Sequence, residues 1–307
     1  MVPVRIPREV LKNGSLQHSR PKIITFDAYN TLYSIKKPVM EQYCIVGAKY
    51  GINGNPQELT KRFPGVFSNI RKKYPLYGKN SGITAEQWWE YLIRDMFEPI
   101  QIPNEMVEEI LERFEGDAAY TVYPDVREFL ETMRRNHPEV SLGIVSNTDP
   151  IVLTLLENLD LKKYFDGNIY LSYDLEIKKP DPAMFNYAVS HMLKRHNTSG
   201  QRENLENIRP HVWHVGDEEK TDLGGAFQAG VNGILVDRSN SFGYFDITTP
   251  DVCKKELSED DLSLRKVLHH SEVILQESDA VTDVVQLNSR QYVLPNFKSL
   301  EALLFQQ

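Results

Sequence analysis

Five short, almost uninterrupted apolar runs punctuate the chain: 22–27 (KIITFD), 140–146 (VSLGIVS), 168–172 (NIYLS), 211–217 (HVWHVGD) and 233–237 (GILVD). Runs without polar alternation predict strands buried on both faces, as in a parallel sheet. Between them, residues 125–136, 150–164 and 182–194 place apolar side chains three and four apart, which predicts amphipathic helices. Strands alternating with helices predict an α/β fold, a Rossmann-like doubly wound parallel sheet.

Residues 36–118 break that rhythm and read as helices alone. Val39, Tyr43, Val46 and Tyr50 form one apolar stripe, and Met106, Ile110 and Phe114 another. Thr84 and Gln87 have the spacing of a capping box ahead of the aromatic-rich WWEYLIRDMF. The expected organisation is therefore a tail over 1–19, a core from 20–35 and 119–307, and an inserted all-helical cap domain over 36–118. Beyond residue 240 the pattern weakens, and 240–290 is expected to be irregular. Within it, the polar stretch 250–270 reads as a solvated insertion and 272–275 as a short strand. Residues 296–305 (NFKSLEALLF) read as a closing helix.

Composition narrows the function classes. A formal net charge of -8 argues against a nucleic-acid phosphate backbone as partner. Cys44 and Cys253 stand far apart with no companion ligands, which excludes a disulfide framework or a cysteine-based metal site and suits a reducing compartment. No apolar run reaches the roughly 18 residues of a membrane helix. The first 20 residues carry Arg5, Arg8, Lys12 and Arg20 against Glu9. They read as a frayed basic tail of a cytoplasmic protein, with a mitochondrial presequence as the alternative.

Four groups of polar residues fall at the ends of predicted strands, and ligands of an open parallel sheet bind outside the carboxyl ends of its strands. Asp27, in FDAYNTL, could be a nucleophile that makes a covalent intermediate; alone it reads better as a turn or capping aspartate. Ser146, in GIVSNTD, could hydrogen-bond a phosphoryl or carboxylate oxygen, with the Asn147 and Thr148 amides at an expected helix start; alone it reads as a helix N-cap. Lys179, in EIKKPDPAMF, could hold a cation over developing charge, whereas Lys178 reads as solvated. Asp217 and Asp222, in VGDEEKTDLGGAFQAG, offer the carboxylate oxygens that hard cations prefer, while Gly216 permits close backbone approach. Glu218 and Glu219 read as solvated.

These four elements, in this order, resemble the four signature motifs of the haloacid dehalogenase superfamily over residues 22–237, with the helical insertion where a type I cap sits. The run AFQAGVNGILV resembles the segment that comes after the fourth motif in that superfamily. The resemblance implies that Asp27 is the nucleophile and that Ser146 and Lys179 orient and neutralise the transferred group. It implies that Asp27, Asp217 and the Tyr29 carbonyl hold magnesium, with Asp222 as a further ligand or support. A small phosphorylated compound would be the substrate.

One departure from the phosphatase pattern matters. Superfamily phosphatases carry a second aspartate two residues after the nucleophile, and here that position is Tyr29. DAYNTL resembles the start of the 2-haloacid dehalogenases, whose halide leaving group needs no proton. Yet Gly216-Asp217 is the metal-binding form of the fourth motif, and Arg62 and Arg71 match the dehalogenases' substrate-binding arginine by position only. Three readings are open: a slow magnesium-dependent phosphatase, an impaired binding or regulatory protein, and a dehalogenase. Trp89 is expected to pack in the cap core, Trp88 is left open, and His214 is expected to be a packed, hydrogen-bonded histidine.

Overall fold

The computed structural model of the protein describes residues 3–14, 18–196, 204–246 and 280–305. Among these, eight strands share one sheet: β1 (Val4–Ile6), β2 (Ile23–Phe26), β5 (Ser141–Ser146), β6 (Ile169–Leu171), β7 (Val212–Gly216), β8 (Asn232–Val236), β9 (Val284–Asn288) and β10 (Gln291–Leu294). Their order is β1-β9-β10-β8-β7-β2-β5-β6, with β9 antiparallel to both its neighbours and the other pairings parallel. The five apolar runs each supply one parallel strand. Every residue of β2, β5, β7 and β8 is buried, as continuous apolar character requires.

Alternation along β2 sends Ile24 and Phe26 into one core cluster and Ile23 into another on the opposite face. The first face is covered by helices Pro124–Asn136, Ile151–Asn158 and Phe297–Phe305, the second by Pro182–His196. Helix Pro124–Asn136 shows how local sequence sets this packing. Pro124 occupies its first turn, where no amide donor is needed, and Val126, Phe129, Leu130 and Met133 form its buried stripe.

Between β2 and β5 the chain passes through a short antiparallel ribbon, β3 (Tyr33–Ile35) paired with β4 (Tyr120–Val122). Beyond the ribbon lie helices Val39–Lys49, Pro56–Lys73, Ala85–Phe97 and Asn104–Arg113, and no strand among the described residues. They enclose a cluster of their own around Met40, Val46, Trp88, Met96 and Met106. The capping box forms: Gln87 N donates to Thr84 Oγ1 (3.1 Å) and Thr84 N to Gln87 Oε1 (3.0 Å). This is the α/β core with an inserted helical cap.

Three expectations need correction. Residues 3–14 are not a frayed tail. Val4–Ile6 pair with Val284–Gln286, and Leu11 is buried in the core, so an edge strand and a short helix are fixed by contacts too distant in sequence to leave a local signal. Nor is 240–290 irregular throughout, since β9 begins at Val284 and pairs with β10. The expected insertion at 250–270 and strand at 272–275 lie outside the described residues. Lastly, the core role expected of Trp89 belongs chiefly to Trp88, while Trp89 packs against the edge of the same cap cluster. Trp88 is fully buried and donates to the Tyr74 carbonyl, whereas Trp89 is half-buried and reaches the sheet domain.

Candidate active site

The carboxyl ends of β2, β5 and β7 lie side by side, because Phe26 is registered with both Ile144 and Val215. Asp27 follows β2, Ser146 ends β5 and Asp217 follows β7, so the residues predicted separately meet in one crevice. Lys179 arrives from the loop before helix Pro182–His196. Its ammonium lies 2.7 Å from Asp27 Oδ1 and 2.5 Å from Asp222 Oδ1, with 2% of its side chain exposed. Lys178 is exposed, as expected.

Asn147 explains how Lys179 is held. Its amide Nδ2 donates to the Lys179 carbonyl (2.9 Å) and its Oδ1 accepts from the Lys179 amide (2.8 Å). The Asn147 side chain thus braces the lysine loop, while its backbone amide, the group expected to favour an anion, lies beside Ser146. A resemblance by motif could not have shown this, since the partner is 32 residues away.

Asp222 sits on a π-helical turn, Glu219–Gly224, of the kind that often re-aims residues at functional sites. It accepts from Lys179, from His214 Nε2 (3.0 Å) and from the Glu218 amide (2.9 Å). Gly216 is indispensable to this arrangement, because a Cβ there would lie 2.2 Å from Asp222 Cγ. Thr25 Oγ1 lies 2.9 Å from His214 Nδ1. An Asp222 carboxylate requires the proton on Nε2, so the Thr25 hydroxyl donates to Nδ1. Buried polar residues therefore form one chain, Thr25–His214–Asp222–Lys179–Asp27. Glu218 and Glu219 are also engaged, accepting from Thr221 and Tyr244 respectively, rather than simply solvated.

Burial penalises each charge here, and the neighbours decide the outcome. Burial pushes the Asp27 carboxyl up, against the pull of Lys179. Burial opposes ionisation of Asp222 too, but Lys179 and His214 outweigh it and hold that carboxyl well below the usual carboxylate range. Burial also opposes the Lys179 ammonium, and Asp222 with Asp27 outweigh it in turn. His214 is pushed down by burial and stays neutral. Tyr29 is held well above its ordinary value by burial and by neighbouring tyrosines, so its hydroxyl keeps its proton.

Carboxylate oxygens of Asp27, Asp217 and Asp222 lie within 4.8 Å of one another, and all three residues could ligate a metal ion. An all-oxygen, anionic donor set at one crevice suits a hard divalent cation. Asp217 is buried and accepts from Thr31 Oγ1 at 3.5 Å. The two oxygens of Asp222 already meet three donors.

Above the crevice lies a cavity of about 280 Å³ lined by both the sheet domain and the cap. The cap is seated over it by polar contacts. Trp89 Nε1 donates to Asp149 Oδ2 (3.0 Å), the Tyr77 hydroxyl to the Asn147 carbonyl (3.2 Å), and Lys79 to the Tyr173 carbonyl (2.7 Å). Arg62 does not line this cavity but binds carbonyls of Asp95 and Glu98, and Arg71 lies over Phe67. Neither is placed to bind a substrate carboxylate there.

A parallel sheet that carries an aspartate, a buried lysine and two further aspartates at its carboxyl edge, beneath a helical cap, defines a class of hydrolase core. The sequence profile of the haloacid dehalogenase-like hydrolases matches residues 21–230, and the chain belongs to that family. It is 49% identical over 285 residues to the uncharacterized protein YMR130W of Saccharomyces cerevisiae, covering 93% of each chain. It is 30% identical to the rhythmically expressed gene 2 protein of Drosophila melanogaster over 74% of this chain and 86% of that one. L-2-haloacid dehalogenase from Xanthobacter autotrophicus shares the fold, with a TM-score of 0.54 at 14% identity over 92% of this chain and 98% of that one.

Proposed function

We propose that the protein is a slow, magnesium-dependent phosphohydrolase acting on a small phosphorylated compound. The observation that carries this reading is the buried Asp27–Lys179–Asp222 chain with Asp217 beside it. A dianionic phosphoryl group entering among three aspartates needs compensating charge. Asp27, Asp217 and the Tyr29 carbonyl would hold the magnesium, with Asp222 supporting them. The bound ion would supply Lewis-acid neutralisation of the phosphoryl oxygens.

Asp27 attacks phosphorus through a carboxylate oxygen, the ester P–O bond breaks, and the electron pair leaves on the substrate oxygen. Lys179 and Ser146 orient and neutralise the transferred group. Water then attacks the aspartyl-phosphate, releasing phosphate and restoring Asp27. The first step needs a proton for a poor leaving group, and the second needs a base for the water. Tyr29 keeps its proton, so it cannot serve as that base. Missing acid–base help of this kind costs ~10²–10⁴-fold in rate.

Tyr29 by itself favours a second reading over the first, an impaired descendant that binds ligands without turning them over. A dehalogenase is disfavoured by Asp217 and by a cavity lining that contains no arginine among the described residues. The test is a panel of phosphate esters and haloacids, with and without magnesium, with Asp27→Asn as the control for contaminating activity. Faint turnover preferring activated aryl phosphates is expected, and Tyr29→Asp should raise it at least about tenfold. Alkyl phosphates hydrolysed by the wild type at ordinary enzyme rates would overturn this account of Tyr29. Magnesium binding without turnover in either form would establish the binding-protein reading instead.

A further inference from the structure

The cavity wall rising from the crevice is a continuous series of aromatic rings. Tyr29 meets Tyr120 at 6.2 Å between ring centres, Tyr120 meets Phe114 at 5.8 Å, and Phe114 meets Tyr43 at 5.6 Å, each pair edge to face. Trp89, from a different cap helix, also lines the cavity. The series thus runs from the residue beside the nucleophile into the centre of the cap.

Charge in the same lining is one-sided. Lys179 is its one lysine or arginine among the described residues, and it is already bonded to two carboxylates. Glu86, Glu115 and Asp149 line the cavity as well. A substrate with a second anionic group would have to shed water there and find no cation to replace it. Edge-to-face rings instead offer contact to a flat apolar body. At about 280 Å³, the cavity also lies just below the usual span of ligand pockets, ~300 to 1,000 Å³.

We propose that the cap selects phosphate monoesters whose alcohol or phenol part is a single neutral aromatic ring system, held against Phe114 and Tyr120, with no second anionic group. This rests on the hydrolase reading of the site, and it is tested by binding rather than turnover, so leaving-group chemistry cannot imitate it. The magnesium-loaded protein is titrated calorimetrically with methylphosphonate, benzylphosphonate and 3-phosphonopropionate. Benzylphosphonate should bind at least about tenfold more tightly than methylphosphonate, as burial of one ring requires. The added carboxylate of 3-phosphonopropionate should bring no gain. Phe114→Ala should lower the benzyl-to-methyl affinity ratio by about fivefold, and Phe114→Tyr should keep it. Should Phe114→Ala fail to fold, Phe114→Leu carries the same comparison. Equal affinity for the benzyl and methyl compounds would overturn the substrate class while leaving the hydrolase reading standing. Tighter binding of 3-phosphonopropionate would do the same. If no phosphonate binds, with or without magnesium, both readings fail together.

Discussion

Replacing Lys179 with methionine removes a charge while keeping the length of the side chain. The ammonium is 2% exposed and lies 2.7 Å and 2.5 Å from carboxylates that are 14% and 1% exposed. Without it, Asp27 and Asp222 face each other in a crevice with no positive charge to separate them. Removing one partner of a buried ion pair costs ~3–5 kcal/mol, because the other charge is left uncompensated. At ~2–4 °C per kcal/mol for domains of ~150–250 residues, and at the lower figure for a longer chain, Tm should fall by roughly 6–10 °C. The assay is thermal and urea denaturation followed by circular dichroism at pH 7 without added divalent ions. Asp222→Asn should also destabilise, since Lys179, His214 and the Glu218 amide all donate to that carboxylate. The double variant should be more stable than the sum of the two changes predicts, because residues in one charged network couple. A Lys179→Met protein melting within about 2 °C of the wild type would refute this, as would an additive double variant.

Asp217→Ala should abolish calorimetric magnesium binding, and unchanged binding would remove Asp217 from the metal site. Trp88→Ala should cost ~3–5 kcal/mol of stability in urea, as for large buried side chains, and Trp89→Ala clearly less; the reverse order would contradict their placement. Asp149 gives a pH test. Burial raises its carboxyl against donation from Ile151 N and Trp89, so the native state keeps this proton above the unfolded value of about 3.9. Its contribution is complete below that pH and is lost as pH rises through the native value. The stability of wild type relative to Asp149→Asn should therefore fall as pH rises above about 4, and a flat difference would show that the shift is absent.

Strand-end residues were legible in the sequence because their signal is local: a buried strand is an apolar run, and Asp27, Ser146 and Asp217 directly end or follow one. The helical cap was legible for the same reason, its stripes and capping box spanning only a few residues each. The features that escaped depend on distant pairing. Val4–Ile6 become a strand through β9, and β3 and β4 exist only because the two ends of the cap insertion meet. Asn147 could be placed near the site but not against the Lys179 backbone, a contact set by two loops folding together. Trp88 and Trp89 are adjacent letters on one helix, and the packing of the other cap helices, which no local pattern reports, decides which of them is fully buried.

The path of the chain also sets the order in which its parts can form during synthesis. Ile23 is made early but finds its partners only at Ser141 and Val212, and Val4 waits for Gln286. The cap cluster, by contrast, draws on residues between Val39 and Phe114, so its own apolar packing is in hand before β5 exists. Contacts between near neighbours form faster than those that close long loops, and translation at ~5–20 residues per second widens the gap to many seconds. The cap therefore has every means to assemble while the central strand is still unpaired and apolar on both faces. The nascent chain is exposed at β2 for longer than at any cap helix, and the nucleophile sits at the end of the strand that waits.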